Sequence, residues 1–330
     1  MNPEARFEVH HLRFEVEATT PLVLDAPAGP KLRAALFEAL GMVCPLGGNA
    51  DAPPEHKAAC PVCWLLATER PGDRGGKDLP RPITIEPPLK GLRLEPGERF
   101  SFGLSIFAQA ANLFPYLALG VPEMGRRGVG RKLPDLGFRR GRFTLAGAEA
   151  VNPLTGQQQT LLDAAHGPLF QVPSIPVTNQ QVIATSRKFA GSQTSIQFLT
   201  PMRIITGGRL SHTPLFAPLF ARLFDRLEAL DHHYADGTIV ERGDKPGLLE
   251  LAGQVQLIAE QSRWREAHSY SGRQKRRTPI SGFTGRAVYQ APAEVWRPLL
   301  HYLLWGQSIH IGKSVTKGDG WYKLRMANDE

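Results

Sequence analysis

Apolar and polar residues alternate from Arg6 to Val16 and again from Phe100 to Phe107, and this two-residue period predicts a strand in each segment. Between these strands, the run KLRAALFEAL follows Pro30 and stops before Gly41. Its leucines and alanines recur at helical spacing, and a proline near the start with a glycine just past the end is typical of a helix. A short helix is predicted over Gln109–Leu119.

The second half of the chain repeats the order of the first. Its predicted elements are a strand at Ser195–Ile205, helices at Leu215–Leu230 and Leu248–Trp264, a strand at Gly282–Tyr289, a helix at Ala293–Trp305 and a strand at Trp321–Met326. In each half the last helix leads through a glycine-rich basic loop into the last strand. A repeated strand–helix–strand–strand–helix–strand pattern predicts the α+β class, with two tandem ferredoxin-like (RRM-like) domains.

The predicted domain boundaries follow the polar segments. Residues 1–152 are assigned to an N-terminal domain and residues 193–330 to a C-terminal domain. A linker is placed at 153–192, because this segment is rich in Gln, Pro, Ser and Thr and in turn signals. Residues 42–82, which contain all three cysteines, are rich in proline and glycine and are predicted to form an irregular insertion in the first domain.

Composition limits the partners. The chain has 330 residues, 42% of them hydrophobic, with a net charge of +8 and a pI of about 9.6. It is therefore long enough for two domains with real cores, and its charge favours an anionic partner such as nucleic acid. No segment is apolar for long enough to span a bilayer, and the first residues lack the apolar core of a signal peptide. We expect a cytoplasmic protein without a membrane partner.

Two glycine-rich basic loops are candidates for binding phosphate, because exposed backbone N–H groups beside basic side chains suit an anion. The first runs from 126 to 142 and the second from 306 to 322. Their candidate RNA-binding residues are Arg126, Arg127, Arg131, Gly312, Lys317, Gly318 and Gly320. The alternative interpretation is a solvated loop in the first case and a plain hairpin turn in the second.

A third basic segment, RWREAHSYSGRQKRR, interleaves cations with aromatic rings. Arginine and lysine can hold phosphates while aromatic rings stack on unpaired bases. The candidate RNA-binding residues here are Tyr270, Arg273, Lys275, Arg276 and Arg277. An exposed linker before the next strand is the alternative, and the two glycine-rich loops tip the balance toward RNA.

The cysteines and one histidine form a candidate metal site. A C-x-x-C pair, Cys60 and Cys63, follows Cys44 and His56, and three thiolates with one imidazole would complete a tetrahedral structural zinc site. Only one such pair is present and the loop between Cys44 and His56 is long, so free thiols remain the alternative. An odd number of cysteines argues against a disulfide framework.

Histidine and lysine are candidates for RNA cleavage, since histidine titrates near neutrality and a cation stabilises a pentavalent phosphorane. His310 and Lys313 share the second glycine-rich loop, and His56 follows the first helix. A bracing role is the alternative for His310, and metal ligation is the alternative for His56. Motifs for nucleotide, hydrolase and zinc-protease sites are absent, as is any cluster of Asp and Glu for a two-metal nuclease.

The chain resembles the CRISPR RNA-processing endoribonucleases of the RAMP superfamily, those with tandem ferredoxin-like domains. The resemblance covers most of the chain, and its most specific blocks are YSGRQKRRTPISGFTGRAVY and HIGKSVTKGDGWY. The family's glycine-rich loop has the form hydrophobic-Gly-basic, then Gly-x-Gly, matched here by Ile311-Gly312-Lys313 and Gly318-Asp319-Gly320. Asp319 departs from the pattern, because an apolar residue is commoner there.

The resemblance implies an activity and a partner. Family members cut precursor CRISPR RNA once per repeat without metal, through attack of a 2′-OH that leaves a 2′,3′-cyclic phosphate and a 5′-OH. No cofactor is then required for cleavage, and the product usually feeds a CRISPR effector complex. A histidine near the first helix is common in the family, which favours His56, while the loop position favours His310. The rival interpretation is a non-catalytic RNA-binding RAMP subunit of an effector complex.

Overall fold

A computed structural model of the chain describes residues 6–46, 52–66, 80–167, 169–237, 239–240, 242–271 and 276–326. These residues divide into two compact units, one of residues 9–176 and the other of residues 6–8 with 177–326. The division falls between Pro176 and Val177, within the predicted linker 153–192. That segment contains a strand of the first unit and a strand and a helix of the second, rather than an extended connection.

The first unit has the strand order of a ferredoxin-like fold. Its strands β1 to β9 are Glu8–Ala18, Leu22–Leu24, Ile83–Glu86, Leu92–Leu94, Arg99–Phe107, Val129–Leu133, Arg139–Gly141, Phe143–Val151 and Gln158–Asp163. Its helices α1 to α4 are Gly29–Leu40, Pro54–Ala59, Pro61–Leu66 and Phe114–Arg127. The main sheet is antiparallel in the order β3-β5-β1-β8-β9. With α1 after β1 and α4 after β5, strands β1, β3, β5 and β8 complete a βαββαβ unit.

The core of this unit lies between the sheet and its helices. α1 buries Leu32, Leu36 and Leu40, which four-residue spacing places on one helix face. They share one apolar cluster with Phe14 of β1 and Phe102 of β5, whose rings stack with centroids 5.6 Å apart. β1 therefore directs its apolar side chains to this core. This is the alternation from which a strand was predicted.

The second unit repeats the same topology. Its strands β10 to β18 are Val177–Thr178, Gln193–Met202, Ile204–Thr206, Arg209–Ser211, Gln256–Arg265, His268–Ser271, Arg276–Pro279, Gly282–Gln290 and Tyr322–Met326. Its helices α5 to α8 are Asn179–Ser186, Phe216–Tyr234, Lys245–Gln254 and Ala293–Ile309. The sheet order β14-β17-β11-β18 matches β3-β5-β1-β8 of the first unit strand for strand. The prediction of an α+β chain with two tandem ferredoxin-like domains is confirmed.

Helix α8 fixes the start of the second glycine-rich loop. Phe216 of α6 packs edge-on against Trp296 of α8, with ring centroids 5.3 Å apart. The hydroxyl of Tyr322, on β18, donates a hydrogen bond to the carbonyl of Leu303 at 2.6 Å. A Cβ on Gly306 would lie 2.2 Å from that hydroxyl, so glycine is required for this close approach. Helix and strand are thus joined at both sides of the loop between them.

The predicted helix over Leu248–Trp264 is wrong in its second half. α7 ends at Gln254, and β14 begins at Gln256 and pairs with β17 along its whole length, up to Arg265 opposite Gly282. Leucine, alanine, glutamate and glutamine in this stretch favour a helix locally. Hydrogen bonding to the edge of β17 outweighs that preference, which is a common outcome for strands.

Two other segments differ from their predicted form. The cysteine-containing insertion was expected to be irregular, and its described part contains α2 and α3. The short helix predicted over Gln109–Leu119 begins with a 3₁₀ turn at Ala108–Leu113 and continues as α4 to Arg127. Arg126 and Arg127 therefore stand in the last turn of a helix rather than in a loop. None of the described helices is long and apolar enough to cross a membrane.

Candidate nucleic-acid interface and metal centre

The glycine-rich loop at residues 310–321, between α8 and β18, is held on the backbone at the end of β11. The Lys313 N–H donates to the Arg203 carbonyl at 3.1 Å, and the Gly320 N–H donates to the Pro201 carbonyl at 3.0 Å. Within the loop, the Ile311 N–H donates to the Gly320 carbonyl at 3.0 Å. Its course is therefore set by main-chain contacts to another element.

Three of the predicted RNA-binding residues are the glycines that allow this course. Gly312, Gly318 and Gly320 have φ angles of +89°, +85° and +74°, in the region that side chains disfavour. A Cβ on Gly312 would lie 2.5 Å from the Arg203 carbonyl oxygen, and one on Gly320 would lie 1.9 Å from that of Ile311. These glycines give the loop its shape, and their contact with RNA stays a prediction.

The lysines of this loop are at least partly exposed to solvent, whereas its histidine is buried. Lys313 is exposed and Lys317 is half-buried. His310 is 0% exposed. Its backbone N–H donates to the Gly306 carbonyl at 3.0 Å, and its ring lies nearly parallel to that of Trp321, with centroids 6.0 Å apart. In this conformation the imidazole of His310 cannot touch an RNA bound at the protein surface, whereas the Lys313 ammonium can.

Asp319 is a buried acid in the same loop. It is 2% exposed, and its Oδ2 has no hydrogen-bond partner among the described residues. Burial raises the pKa of Asp319 to about 8, against the smaller opposing effect of the Lys317 charge. The group is therefore mostly a neutral carboxylic acid at pH 7, and the loop carries its lysines without a compensating anion.

The basic segment after β14 forms a hairpin of β15 and β16. Tyr270 pairs with Arg277 across it, and the side chain of Arg277 is exposed. Of the other residues predicted to bind RNA here, Arg273 and Lys275 lie outside the described residues, as do the side chains of Tyr270 and Arg276. Arg277 is thus the predicted phosphate contact of this hairpin whose side chain the structure describes.

A cluster of polar and aromatic side chains lies at the base of this hairpin. The indole N–H of Trp264 donates to Glu266 at 2.6 Å, and the ring of His212 lies 4.2 Å from that of Trp264. Hydrogen bonds from Ser281 and Trp264 lower the pKa of Glu266, with smaller electrostatic contributions from His268 and His212. Both histidines are exposed.

This cluster is connected to the glycine-rich loop. Arg203 donates through Nη1 to the carbonyl of Ser281 at 3.2 Å, and its own carbonyl accepts the Lys313 N–H. The hydroxyl of Ser281 accepts the N–H of Ala267 at 3.0 Å, directly before His268. His268 entered the sequence analysis only as an aromatic neighbour of basic residues, and His212 has no motif around it that could have identified it.

In the first basic stretch, ion pairs occupy the three predicted RNA-binding arginines. Arg126 and Arg127 each donate to Glu123 at 2.7 Å, and Arg131 pairs with Asp25 at 2.5 Å. The two guanidiniums lower the pKa of Glu123 to about 2. These arginines reach an RNA phosphate only in competition with a carboxylate already bound.

The four residues predicted to bind metal come together in the first unit. Cys44 follows α1, His56 lies in α2, Cys60 follows α2 and Cys63 lies in α3. The Sγ of Cys44 is 3.2 Å from Nε2 of His56 and 3.6 Å from Sγ of Cys63. One ligand atom from each of the four residues lies within 4.8 Å of all the others, which is the spacing needed to surround one ion.

Burial and the neighbouring sulfurs disfavour the thiolate form in this cluster when no cation is bound. The pKa of Cys63 is raised to about 12, first by burial and then by Cys44 and Cys60. A divalent ion would reverse this, since thiolates are the form that binds metal. Three sulfurs and one imidazole nitrogen match the ligand set of structural zinc.

Two family models divide the chain almost as the two units do. The model AF_1859_N, described as an N-terminal domain, matches residues 7–174, and the model described as CRISPR-associated endoribonuclease Cas6 matches residues 196–322. No protein with a curated description matches the sequence.

Solved structures share the fold at low sequence identity. A Cas6 product complex is 16% identical with a TM-score of 0.57, the match covering 96% of this chain and 99% of that one. A Cas6 from Thermus thermophilus is 15% identical with a TM-score of 0.55, over 97% and 99% of the two chains. A partial Cas6-RT-Cas1–Cas2 complex is 12% identical with a TM-score of 0.61, over 100% of this chain and 48% of that one. These matches confirm the tandem ferredoxin-like arrangement seen in the strand order.

Proposed function

We propose that the chain, whose residues 196–322 match the model of the CRISPR-associated endoribonuclease Cas6, is an endoribonuclease that cuts precursor CRISPR RNA within its repeats. The observation that carries this proposal is the position of Lys313. The glycine-rich loop holds Lys313 at the surface of the unit that contains the match to the Cas6 endoribonuclease model. The Lys313 N–H donates to the Arg203 carbonyl, and the Arg203 side chain donates to the Ser281 carbonyl at the base of the basic hairpin. The guide RNAs so produced would pass to subunits of a CRISPR effector complex.

The proposed reaction uses the RNA's own 2′-OH as nucleophile. The 2′-oxygen attacks the adjacent phosphorus while its proton passes to His268, the exposed histidine beside Glu266. The bond from phosphorus to the 5′-oxygen then breaks, and the leaving oxygen takes up a proton from solvent. The products are a 2′,3′-cyclic phosphate and a 5′-OH. Lys313 stabilises the phosphorane charge, as a fixed cation does for a developing oxyanion.

The proposed reaction uses no metal ion and leaves the cysteine–histidine cluster of the first unit a structural role. Among the described residues, the group of three or more His, Cys, Asp and Glu with converging ligand atoms is Cys44, His56, Cys60 and Cys63. That ligand set belongs to a structural site, because all four positions are filled by protein. We accordingly assign His56 to metal binding and His310, which is fully buried, to support of the loop.

The first test is incubation of the protein with its own repeat RNA in EDTA. We expect one cut per repeat, a 5′-fragment ending in a cyclic phosphate, and no cut when the nucleotide before the scissile phosphate is a deoxynucleotide. Tight binding without a cut would instead favour the non-catalytic RNA-binding subunit. Circular dichroism on the same samples would show whether EDTA has unfolded the first unit by removing zinc.

We also propose that Cys44, His56, Cys60 and Cys63 bind one structural zinc ion, which would tie the end of α1 to α2 and α3. The support is the convergence of the four ligand atoms and the burial of Cys44 and Cys63. Zinc bound by such a set contributes directly to folding.

Elemental analysis of protein without a histidine tag tests the zinc site. We expect about one zinc per chain in the wild type, loss of most of the metal in His56→Ala, and a lower melting temperature for that variant. His166→Ala is the matched control, since His166 is an exposed histidine of the same unit that pairs with Asp163. A wild type that folds normally without zinc would refute the site and release His56 for another role.

A further inference from the structure

Main-chain hydrogen bonds close the turn of the β6–β7 hairpin. Leu133 pairs with Arg139 across the two strands. The Gly137 N–H donates to the Pro134 carbonyl and the Phe138 N–H donates to the Leu133 carbonyl, each at 2.9 Å. The residues at the turn are thus held in place by main-chain hydrogen bonds.

Phe138, at the end of this turn, is explained neither by packing nor by local preference. Its side chain is 69% exposed, so its ring contributes little to a core. Its φ is +57°, a left-handed conformation that is unusual for a bulky residue and costs free energy unless its surroundings impose it. Glycine or asparagine would suit the position better. A strained, exposed aromatic ring at this position points to an external partner for that ring.

The charges beside Phe138 indicate what kind of partner it contacts. Lys132 and Arg139 are exposed and form no ion pair within the part of the chain that the structure describes. Their neighbours differ, since Arg131 pairs with Asp25 and Arg140 approaches Glu38 at 3.8 Å. Two available cations therefore lie near Phe138 on the same hairpin, Arg139 directly after it and Lys132 across from Arg140. The turn also contains one exposed acid, Asp135, so the two cations still outnumber the negative charge.

We propose that the β6–β7 hairpin binds single-stranded RNA, with the ring of Phe138 stacked on one unpaired base and Lys132 and Arg139 on the phosphates beside it. This inference rests on the proposed function, because it presupposes an RNA substrate. A single exposed ring with two cations on the same hairpin fits a nucleotide, which offers a flat aromatic face and a phosphate within one unit. An apolar protein partner would require a wider apolar surface than one ring supplies.

The test compares Phe138→Ala, Phe138→Leu and Phe138→Tyr for binding to the repeat RNA over a range of salt concentrations. Loss of one stacked base weakens binding about 5- to 150-fold, so we expect losses of this order for Phe138→Ala and nearly as large for Phe138→Leu, which keeps an apolar side chain without a ring. Phe138→Tyr should bind as the wild type does. The control is Leu119→Ala, since Leu119 is an apolar residue of α4 that is 71% exposed.

Salt dependence separates stacking from charge. Phe138→Ala should leave the slope of log K against log salt unchanged, whereas the double variant Lys132→Ala, Arg139→Ala should reduce its magnitude by roughly 1.4, because each phosphate contact on a single strand contributes about 0.7. Equal losses for Phe138→Leu and Phe138→Tyr would refute base stacking. Unchanged RNA binding in Phe138→Ala would refute a role for the ring. Tighter binding of an acidic peptide than of RNA would show that the hairpin binds a protein instead.

The melting temperature distinguishes a Phe138 that binds RNA from one that only stabilises the fold. Alanine keeps the strain of a positive φ and asparagine relieves part of it. We therefore expect an unchanged melting temperature for Phe138→Ala and an equal or higher one for Phe138→Asn, while both bind RNA less tightly. A lower melting temperature in both would make Phe138 structural and overturn the inference. If the wild type binds RNA but never cuts it, the proposed enzymatic function fails while the stacking site stands.

Discussion

Replacing Asp319 by asparagine is expected to raise the melting temperature, and the gain should grow as the pH rises from about 4 to about 8. The carboxyl of Asp319 has an ordinary pKa of 3.8 in the unfolded chain and one of about 8 in the folded protein. Between these values unfolding releases a proton, so the contribution of Asp319 to stability is fully present below about pH 4 and is lost by about pH 8. Four pKa units correspond to roughly 5 kcal/mol, an upper limit because the loop can rearrange to hydrate the charge.

Thermal melts of the wild type and Asp319→Asn at pH 5, 6, 7 and 8 measure this difference. Asparagine keeps the size and polarity of the side chain and removes its titration, so the trend with pH, rather than the offset at one pH, is the result that matters. Asp135→Asn, at an exposed aspartate, is the control for the loss of one carboxylate. A constant difference between wild type and Asp319→Asn at every pH would mean that the buried carboxyl titrates normally.

The fold could be predicted because its two halves repeat the same order of elements. β1, α1 and α6 have clear periodicity, and each buries the face that the period predicts. α8 and the second half of β5 are instead buried on nearly all sides. β14 was not predicted as a strand, because its ten residues contain good helix formers and form a strand only through pairing with β17. That pairing joins segments distant in the chain, and no local pattern of β14 reveals it.

The chemistry of the candidate site was easier to predict than its exposure. The C-x-x-C pair pointed to a candidate metal site, and its four ligand atoms converge. The burial of His310 was not predictable, since it depends on how the loop packs against the backbone of Arg203 and Pro201, more than a hundred residues away in the sequence. The pairing of Arg126 and Arg127 with Glu123 was visible in principle, because three- and four-residue spacing places these side chains together on a helix.

Lys313→Ala is expected to slow cleavage of the repeat RNA by about a hundred- to a thousandfold, which is the usual cost of removing one group that stabilises a transition-state charge. The effect on binding should be much smaller, close to the loss of one phosphate contact. The backbone of the loop keeps its hydrogen bonds to Arg203 and Pro201 in this variant, so the fold should be unaffected. Single-turnover cleavage at saturating protein, measured beside equilibrium binding, separates the two effects.

Lys323→Ala is the matched control for this experiment. Lys323 is an exposed lysine of β18, directly after the same loop, so both variants lose one positive charge in the same unit. Equal, small losses in both would show that Lys313 contributes only to the general electrostatic attraction of RNA. A large loss of rate in Lys313→Ala alone would place the scissile phosphate at the glycine-rich loop.

The histidines are distinguished by the same assay combined with thermal melts. His268→Ala should slow cleavage by roughly a hundred- to ten-thousandfold, the range for a general base, without changing the melting temperature, because its side chain is exposed. His310→Ala should instead lower the melting temperature, since it empties a space that is closed to solvent. A His310→Ala variant that folds as stably as the wild type, binds RNA equally well and no longer cuts would contradict this assignment. His310 would then be the catalytic histidine, and RNA binding would have to open the loop that buries it.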